Sequence, residues 1–210
     1  MKILIAPDSF KGALSSSQAA EAIAAGILKV APYTEIIKIP LADGGEGTVE
    51  ALVSATGGTM IPVQVKDPLL RDITACYGIL GDKKTAVIEM AAASGLTLLT
   101  QAEQNPLLTS TYGTGQLVSN ALDKGCETII IGLGGSATND GGLGMLNALG
   151  VKFLNKAGGD CSLGGQGLAD LDVIDISGLD KRIALTRFKA ACDVQNPLAG
   201  PQGATYVFGP

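Results

Sequence analysis

The sequence has no histidine and no tryptophan, and only 4% of its 210 residues are aromatic. Without histidine, a Ser-His-Asp triad, a Cys-His pair and histidine-ligated zinc are all excluded. Any acid–base chemistry must therefore rest on carboxylates, lysine, tyrosine or cysteine. Charge is sparse as well, at 17% of residues with a net of −5, and this disfavours nonspecific attraction to nucleic acid or anionic membrane. No apolar run approaches the roughly 20 residues of a membrane-spanning helix, because Lys, Asp, Gly or Pro interrupts each one. The opening MKILIAPDSF has too short an apolar core for a signal peptide, since Pro7-Asp8 cuts it off. Cys76, Cys126, Cys161 and Cys192 lie far apart without CxxC spacing and read as buried, reduced thiols. These absences describe a cytoplasmic protein with no nucleic-acid or membrane partner. What is present, 46% hydrophobic residues, suits a globular α/β chain with a substantial core.

KILIA is a short strand ending at PDSFKG, and LSSSQAAEAIAAGILKV carries apolar residues at helical spacing behind the hydroxyl caps Ser15 to Ser17. YTEIIKIP is a second strand; it runs into LADGGEGT and the helical VEALVSATGG. This β-loop-α-β-loop-α series predicts a parallel sheet flanked by helices, with ligands outside the carboxyl ends of the strands. From Thr59 to Met90 the alternation, broken by Asp-Pro and Gly-Asp, predicts antiparallel strands instead. A second α/β stretch follows, with a helix in TSTYGTGQLVSNALDKG, a strand in CETIII, a short helix in LGMLNALG and strands in VKFLNK, LDVID and RFKAAC. The closing ATYVFGP reads as another strand in need of a neighbour. The expected organisation is residues 1–60 as the first part of a Rossmann-like domain and 61–210 as a second, mixed α/β domain, inserted into the first.

The passage IIIGLGGSATNDGGLG (residues 129–144) sets an apolar strand against a glycine-rich turn before a helix. That geometry points backbone N–H groups at an anion, while a turn required by close helix–strand packing is the alternative. Gly132, Gly134 and Ala137 fit a loose G-x-G-x-x-A, but no Gly-Lys-Ser/Thr follows, so it is not a Walker loop. Gly134, Gly135, Ser136, Ala137, Thr138 and Asn139 are candidate phosphate- or carboxylate-binding residues, with Asp140 beside them. In APDSFKG, Asp8, Ser9 and Lys11 combine a proton acceptor or metal-side ligand with an anion anchor; a surface salt bridge is the alternative. In ADGGEGT, Asp43 and Glu46 flank glycines, Gly45, Gly47 and Thr48 complete the turn, and the carboxylates suit magnesium or a base. An acidic helix start is the competing reading there. Asp193 ends an apolar strand in ACDVQNPLAGP.

Taken together, APDSFKG, LADGGEGTVEAL, AVIEMAAASGL, NPLLTSTYGTGQLVSNALDKG, IIIGLGGSATNDGGLGMLNALG and ACDVQNPLAGPQGA, in this order, resemble the bacterial glycerate kinase family across nearly the whole chain. The resemblance implies two α/β domains with a ligand cleft between them, and ATP-dependent phosphorylation of D-glycerate at the 2-hydroxyl with magnesium. Joined to the chemistry, it makes Asp43 or Asp8 the group that takes the hydroxyl proton. Lys11 and Arg71 would hold the glycerate carboxylate or the transferring phosphoryl group, and Asp140 or Asp193 would place magnesium. Members of that family are nearly twice as long, so the first domain is expected to be incomplete here, with association through open sheet edges and little activity from the chain alone. Two other readings stand beside it: a nicotinamide-dependent oxidoreductase using the Gly132 fingerprint, and a non-catalytic binding or assembly fragment.

Overall fold

The structure, a computed structural model, describes residues 1–8, 10, 13–39, 47–192 and 194–209. Of the expected site residues, Ser9, Lys11, Asp43, Gly45, Glu46 and Asp193 lie outside the described residues.

Strands β1 (Lys2–Ile5) and β2 (Glu35–Lys38) pair in parallel, connected by helix α1 (Ser16–Val30). The Ser15 hydroxyl accepts from the Gln18 N–H at 3.2 Å, and the Gln18 side chain accepts from the Ser15 N–H at 2.9 Å. This capping box, worth about 1 kcal/mol, satisfies two donors that the first turn leaves open. Ala20 and Ala24 of α1 pack on Ile5, with Ile3, Ile27 and Ile36 around them. Successive strand side chains point to opposite faces. Leu4 and Ile37 accordingly stand on the side away from α1, where they are exposed.

Helix α2 (Thr48–Thr56) leads into β3 (Thr59–Lys66), β4 (Asp72–Ile79) and β5 (Thr85–Glu89). The short α3 (Ala91–Ser94) and α4 (Tyr112–Asp123) precede β6 (Thr128–Gly132); α5 (Leu143–Ala148) follows it. A hairpin of β7 (Lys152–Asn155) and β8 (Leu171–Asp175) comes next, then β9 (Arg187–Ala191) and α6 (Ala204–Phe208). Five of these strands form one mixed sheet in the order β3-β4-β5-β6-β9, antiparallel as far as β5 and parallel beyond it. The change of direction from residue 59 onward thus follows the alternation read in the sequence.

The apolar runs of β5 and β6 are nearly continuous because both faces of the sheet are covered. Ala86, Ile88 and Ile129 face α4 with Leu117, Val118, Ala121 and Leu122. Val87 faces the other way, onto Val49 and Val53 of α2. Helix α2, grouped by the sequence with residues 1–60, therefore packs on the five-stranded sheet. The closeness of that packing requires glycine at position 78, where an added Cβ would lie 2.3 Å from Val53 Cγ2 and 2.9 Å from Val49 Cγ1.

Two expectations are corrected. ATYVFGP is not a strand: Ala204–Phe208 is helical, with the Val207 N–H donating to Gly203 and the Gly209 N–H to Thr205. Backbone groups must be paired, and here local bonds do so. Nor are the cysteines uniformly buried. All four are free, but only Cys126 is buried, whereas Cys76 and Cys192 are exposed and Cys161 is intermediate. No helix among the described residues is long and apolar enough to cross a membrane.

Gly78→Ala should cost about 1–3 kcal/mol through overpacking beneath α2. Gly26→Ala, in α1 with nothing within 4 Å of the added methyl, should gain roughly 0.5–1 kcal/mol of helix stability. Urea melts followed by circular dichroism check both; equal effects would mean that the α2 interface is loose.

Candidate functional site

The parallel strands bring their carboxyl ends into register, with Glu89 opposite Gly132 and Gly132 opposite Ala191. The Met90 N–H donates to Gly132 and the Leu133 N–H to Ala191, so the three chain segments leave the sheet side by side. The glycine turn begins at this edge. Leu96 N–H donates to Gly135 at 3.0 Å, Ala137 N–H to Ser94 at 2.9 Å, and the Thr109 hydroxyl to the Ala137 carbonyl at 2.7 Å. Ser94 and Thr114, both buried, share a hydroxyl–hydroxyl bond of 2.7 Å that ties α3 to α4 beneath the turn. Ser136 Oγ accepts from the Thr138 N–H at 3.1 Å. Gly135 adopts φ +72°, a left-handed conformation that glycine reaches without strain.

Between these anchors, the N–H groups of Gly134, Gly135 and Ser136 meet no hydrogen-bond acceptor among the described residues. Gly134 and Gly135 are exposed and Ser136 is partly so. Successive N–H groups around a left-handed residue form a concavity suited to an anion.

Asp140 sits differently from its expected role. The residue is only 1% exposed. It accepts from the Thr111 N–H at 2.8 Å and hydroxyl at 2.9 Å, and from the N–H groups of Gly142 at 3.0 Å and Gly144 at 3.1 Å. The Thr111 hydroxyl in turn accepts from the Met145 N–H at 2.9 Å. One carboxylate thus satisfies the starts of both α4 and α5, where the partial positive charge of the helix ends favours an anion. The first N–H groups of α5 are consequently capped from within the chain, so anion binding falls to the turn rather than to the helix that follows it. Among the described residues, no group of three or more metal-ligating side chains gathers.

Asp8 is exposed beyond the end of β1. Arg71 lies at the β3–β4 turn, where Asp67, buried, takes its Nε at 2.5 Å and Glu103 takes Nη1 at 2.7 Å; Nη2 donates to the Leu98 carbonyl at 3.3 Å. The Asp67 hydrogen bond above all raises the guanidinium's affinity for its proton, against the opposing effect of burial. The expected anion anchor is therefore already engaged by acceptors of its own chain.

Glu89 was not among the sequence candidates. It closes β5 beside Gly132, and its Oε1 accepts from the Val49 N–H at 2.9 Å, joining the start of α2 to the glycine turn's strand. Thr48, the first residue of α2, is buried there. A carboxylate ending an otherwise apolar strand, AVIE, was the available signal.

Asp140→Ala should destabilise by about 3 kcal/mol or more, because several buried donors lose their acceptor together. Asp140→Asn should cost less, since an amide oxygen still accepts. Unchanged urea midpoints for both would remove the anchoring role.

Residues 3–210 match the sequence model of the glycerate kinase family. The chain is 55% identical over 210 residues to the glycerate kinase of Bacillus subtilis (strain 168), and 51% identical to the glycerate 2-kinase of Escherichia coli (strain K12). In both comparisons all of this chain is covered but only 55% of the relative. It also superimposes on a crystal structure named for glycerate kinase 2 of Salmonella typhimurium LT2 with a TM-score of 0.90 and 54% identity, covering 100% of this chain and 56% of the other. The chain spans about half the length of the curated relatives it matches.

Proposed function

Because the chain belongs to the glycerate kinase family, we propose that it forms part of an enzyme that phosphorylates D-glycerate from ATP, giving 2-phosphoglycerate. The observation that carries this reading is the run of N–H groups at Gly134, Gly135 and Ser136, directed from the carboxyl edge of the parallel strands. Phosphoryl transfer asks a protein chiefly for alignment and for donors spread around the moving group. A glycine turn pinned by Ser94, Thr109 and Asp140 supplies fixed donors without reorganisation.

In the absence of histidine, Asp43 or Asp8 accepts the proton of the glycerate hydroxyl, and Lys11 holds the glycerate carboxylate or the phosphoryl oxygens. Arg71 joins them only by exchanging Glu103 for the ligand. Glu89 holds the first turn of α2, and with it Thr48, at the same edge. Magnesium, when bound, would supply charge neutralisation for the phosphates. Asp140 has its lone pairs committed, so Asp193 is the better candidate ligand. The two-domain arrangement, a Rossmann-like first domain facing the mixed-sheet unit across a cleft, belongs to this same reading, as does a cytoplasmic setting.

The test couples ADP release to NADH oxidation with D-glycerate as acceptor. The chain alone should turn over little. The chain fused to the remaining C-terminal part of the Bacillus subtilis relative should be active, and Asp43→Asn in that fusion should lower turnover by about a hundredfold, the scale of a positioned acid–base group. A fusion that folds yet ignores D-glycerate would overturn the reading.

A further inference from the structure

A cavity of about 610 Å³ opens beside the far end of the glycine turn. Its wall includes Leu107, Asn139, Gly165, Leu168, Leu198 and Tyr206. This volume lies within the range of small-molecule pockets, roughly 300–1,000 Å³. The wall is built by backbone contact: Gly165 N–H donates to Pro106 at 3.2 Å and Gln166 N–H to Leu107 at 3.0 Å. A Cβ on Gly165 would lie 2.6 Å from the Pro106 oxygen and 2.9 Å from the Asn139 oxygen, so the segments around residues 106, 139 and 165 meet without a side chain between them. Helix α6 closes the opposite side, where the Thr205 hydroxyl donates to Asn139 Oδ1 at 3.2 Å.

The lining has a definite chemistry. Leu107, Leu168 and Leu198 offer apolar surface, and Tyr206, 71% exposed, presents an aromatic ring. The Asn139 amide nitrogen donates to no described residue. Apolar walls, one aromatic ring and one amide are what a nucleobase needs: stacking on its face and a hydrogen bond at its edge. The cavity shares Asn139 with the turn whose N–H groups suit an anion. We infer that this cavity receives the adenine of the nucleotide, so that the phosphates lie along Gly134–Ser136. The inference rests on the kinase reading above and assigns the glycine turn to ATP rather than to glycerate.

The experiment compares ADP with inorganic tripolyphosphate, which lacks a base, by calorimetric titration of the chain and of its Tyr206→Ala and Tyr206→Phe variants. Tyr206→Ala should weaken ADP about tenfold, as expected for a lost stacking partner, and leave tripolyphosphate unchanged; Tyr206→Phe should bind both like the parent. Unaltered ADP affinity in Tyr206→Ala, or equal weakening of ADP and tripolyphosphate, would overturn the assignment. Failure of the parent chain to bind either ligand would likewise overturn the assignment, whereas the kinase reading beneath it stands or falls on the turnover of the fusion with D-glycerate.

Discussion

The carboxylate of Asp140 is the constraint on which the carboxyl edge of the sheet depends. A buried anion is tolerable only where donors replace water, and here the donors are the starts of two helices, α4 and α5, with the Thr111 hydroxyl between them. Gly144 lets them approach: a Cβ there would lie 2.1 Å from Ser110 Oγ and 2.6 Å from the Tyr112 nitrogen. The glycine turn is therefore held at one end by the β6 ladder at Gly132 and at the other by this junction. What remains between the two ends is short, and Ser94 and Thr109 pin its middle. The turn is shaped by polar groups that never meet solvent, which is why its exposed N–H groups can be fixed in direction.

The same edge gathers elements distant in sequence. Glu89 ends the strand next to Gly132 and accepts from the first turn of α2, so a segment near residue 48 and one near residue 134 share a border through a single carboxylate. Arg71 shows the opposite case. Asp67 holds it from within its own turn, accepting also from the N–H groups of Leu69 and Arg71, and Glu103 takes a further donor. A guanidinium between two carboxylates braces the β3–β4 turn against the segment around residue 100. Its exposure limits what each pair contributes.

The order and type of most elements were legible because hydrophobic period is a local signal: AVIE and TIII alternate between two covered faces, and AAEAIAAGIL keeps helical spacing. Other features were decided by what lies nearby in space. ATYVF has strand propensity, yet with no strand beside it among the described residues the backbone closes on itself as α6. Cys76 is on β4, two residues before the Gly78 that lies beneath α2, yet is itself exposed, so a residue type that favours burial stands in solvent. For Asp140, an acidic residue beside a glycine turn could ligate a metal or cap a helix, and only the approach of Thr111, nearly thirty positions earlier, decides between them. Glu89 escaped notice for a similar reason, since its partner at Val49 lies forty positions away.

The β1–α1–β2 unit follows the same logic of coverage to a different result. Its two strands bury Ile5 and partly bury Ile3 and Ile36 beneath α1 but leave Leu4, Ile37 and Ile39 exposed on the reverse face. Two parallel strands with one covered face form a marginal unit, because parallel sheets are ordinarily covered on both sides. The five-stranded sheet, with α2 on one face and α4 on the other, meets that condition around β5 and β6. Its outer strand β9 does not, but there Arg187 and Lys189 occupy an exposed edge, and charge on an edge strand discourages further pairing. The reverse face of β1 and β2 carries the exposed Leu4, Ile37 and Ile39 beside the Lys2–Glu35 ion pair. Aliphatic side chains of that kind suit a covering layer rather than water.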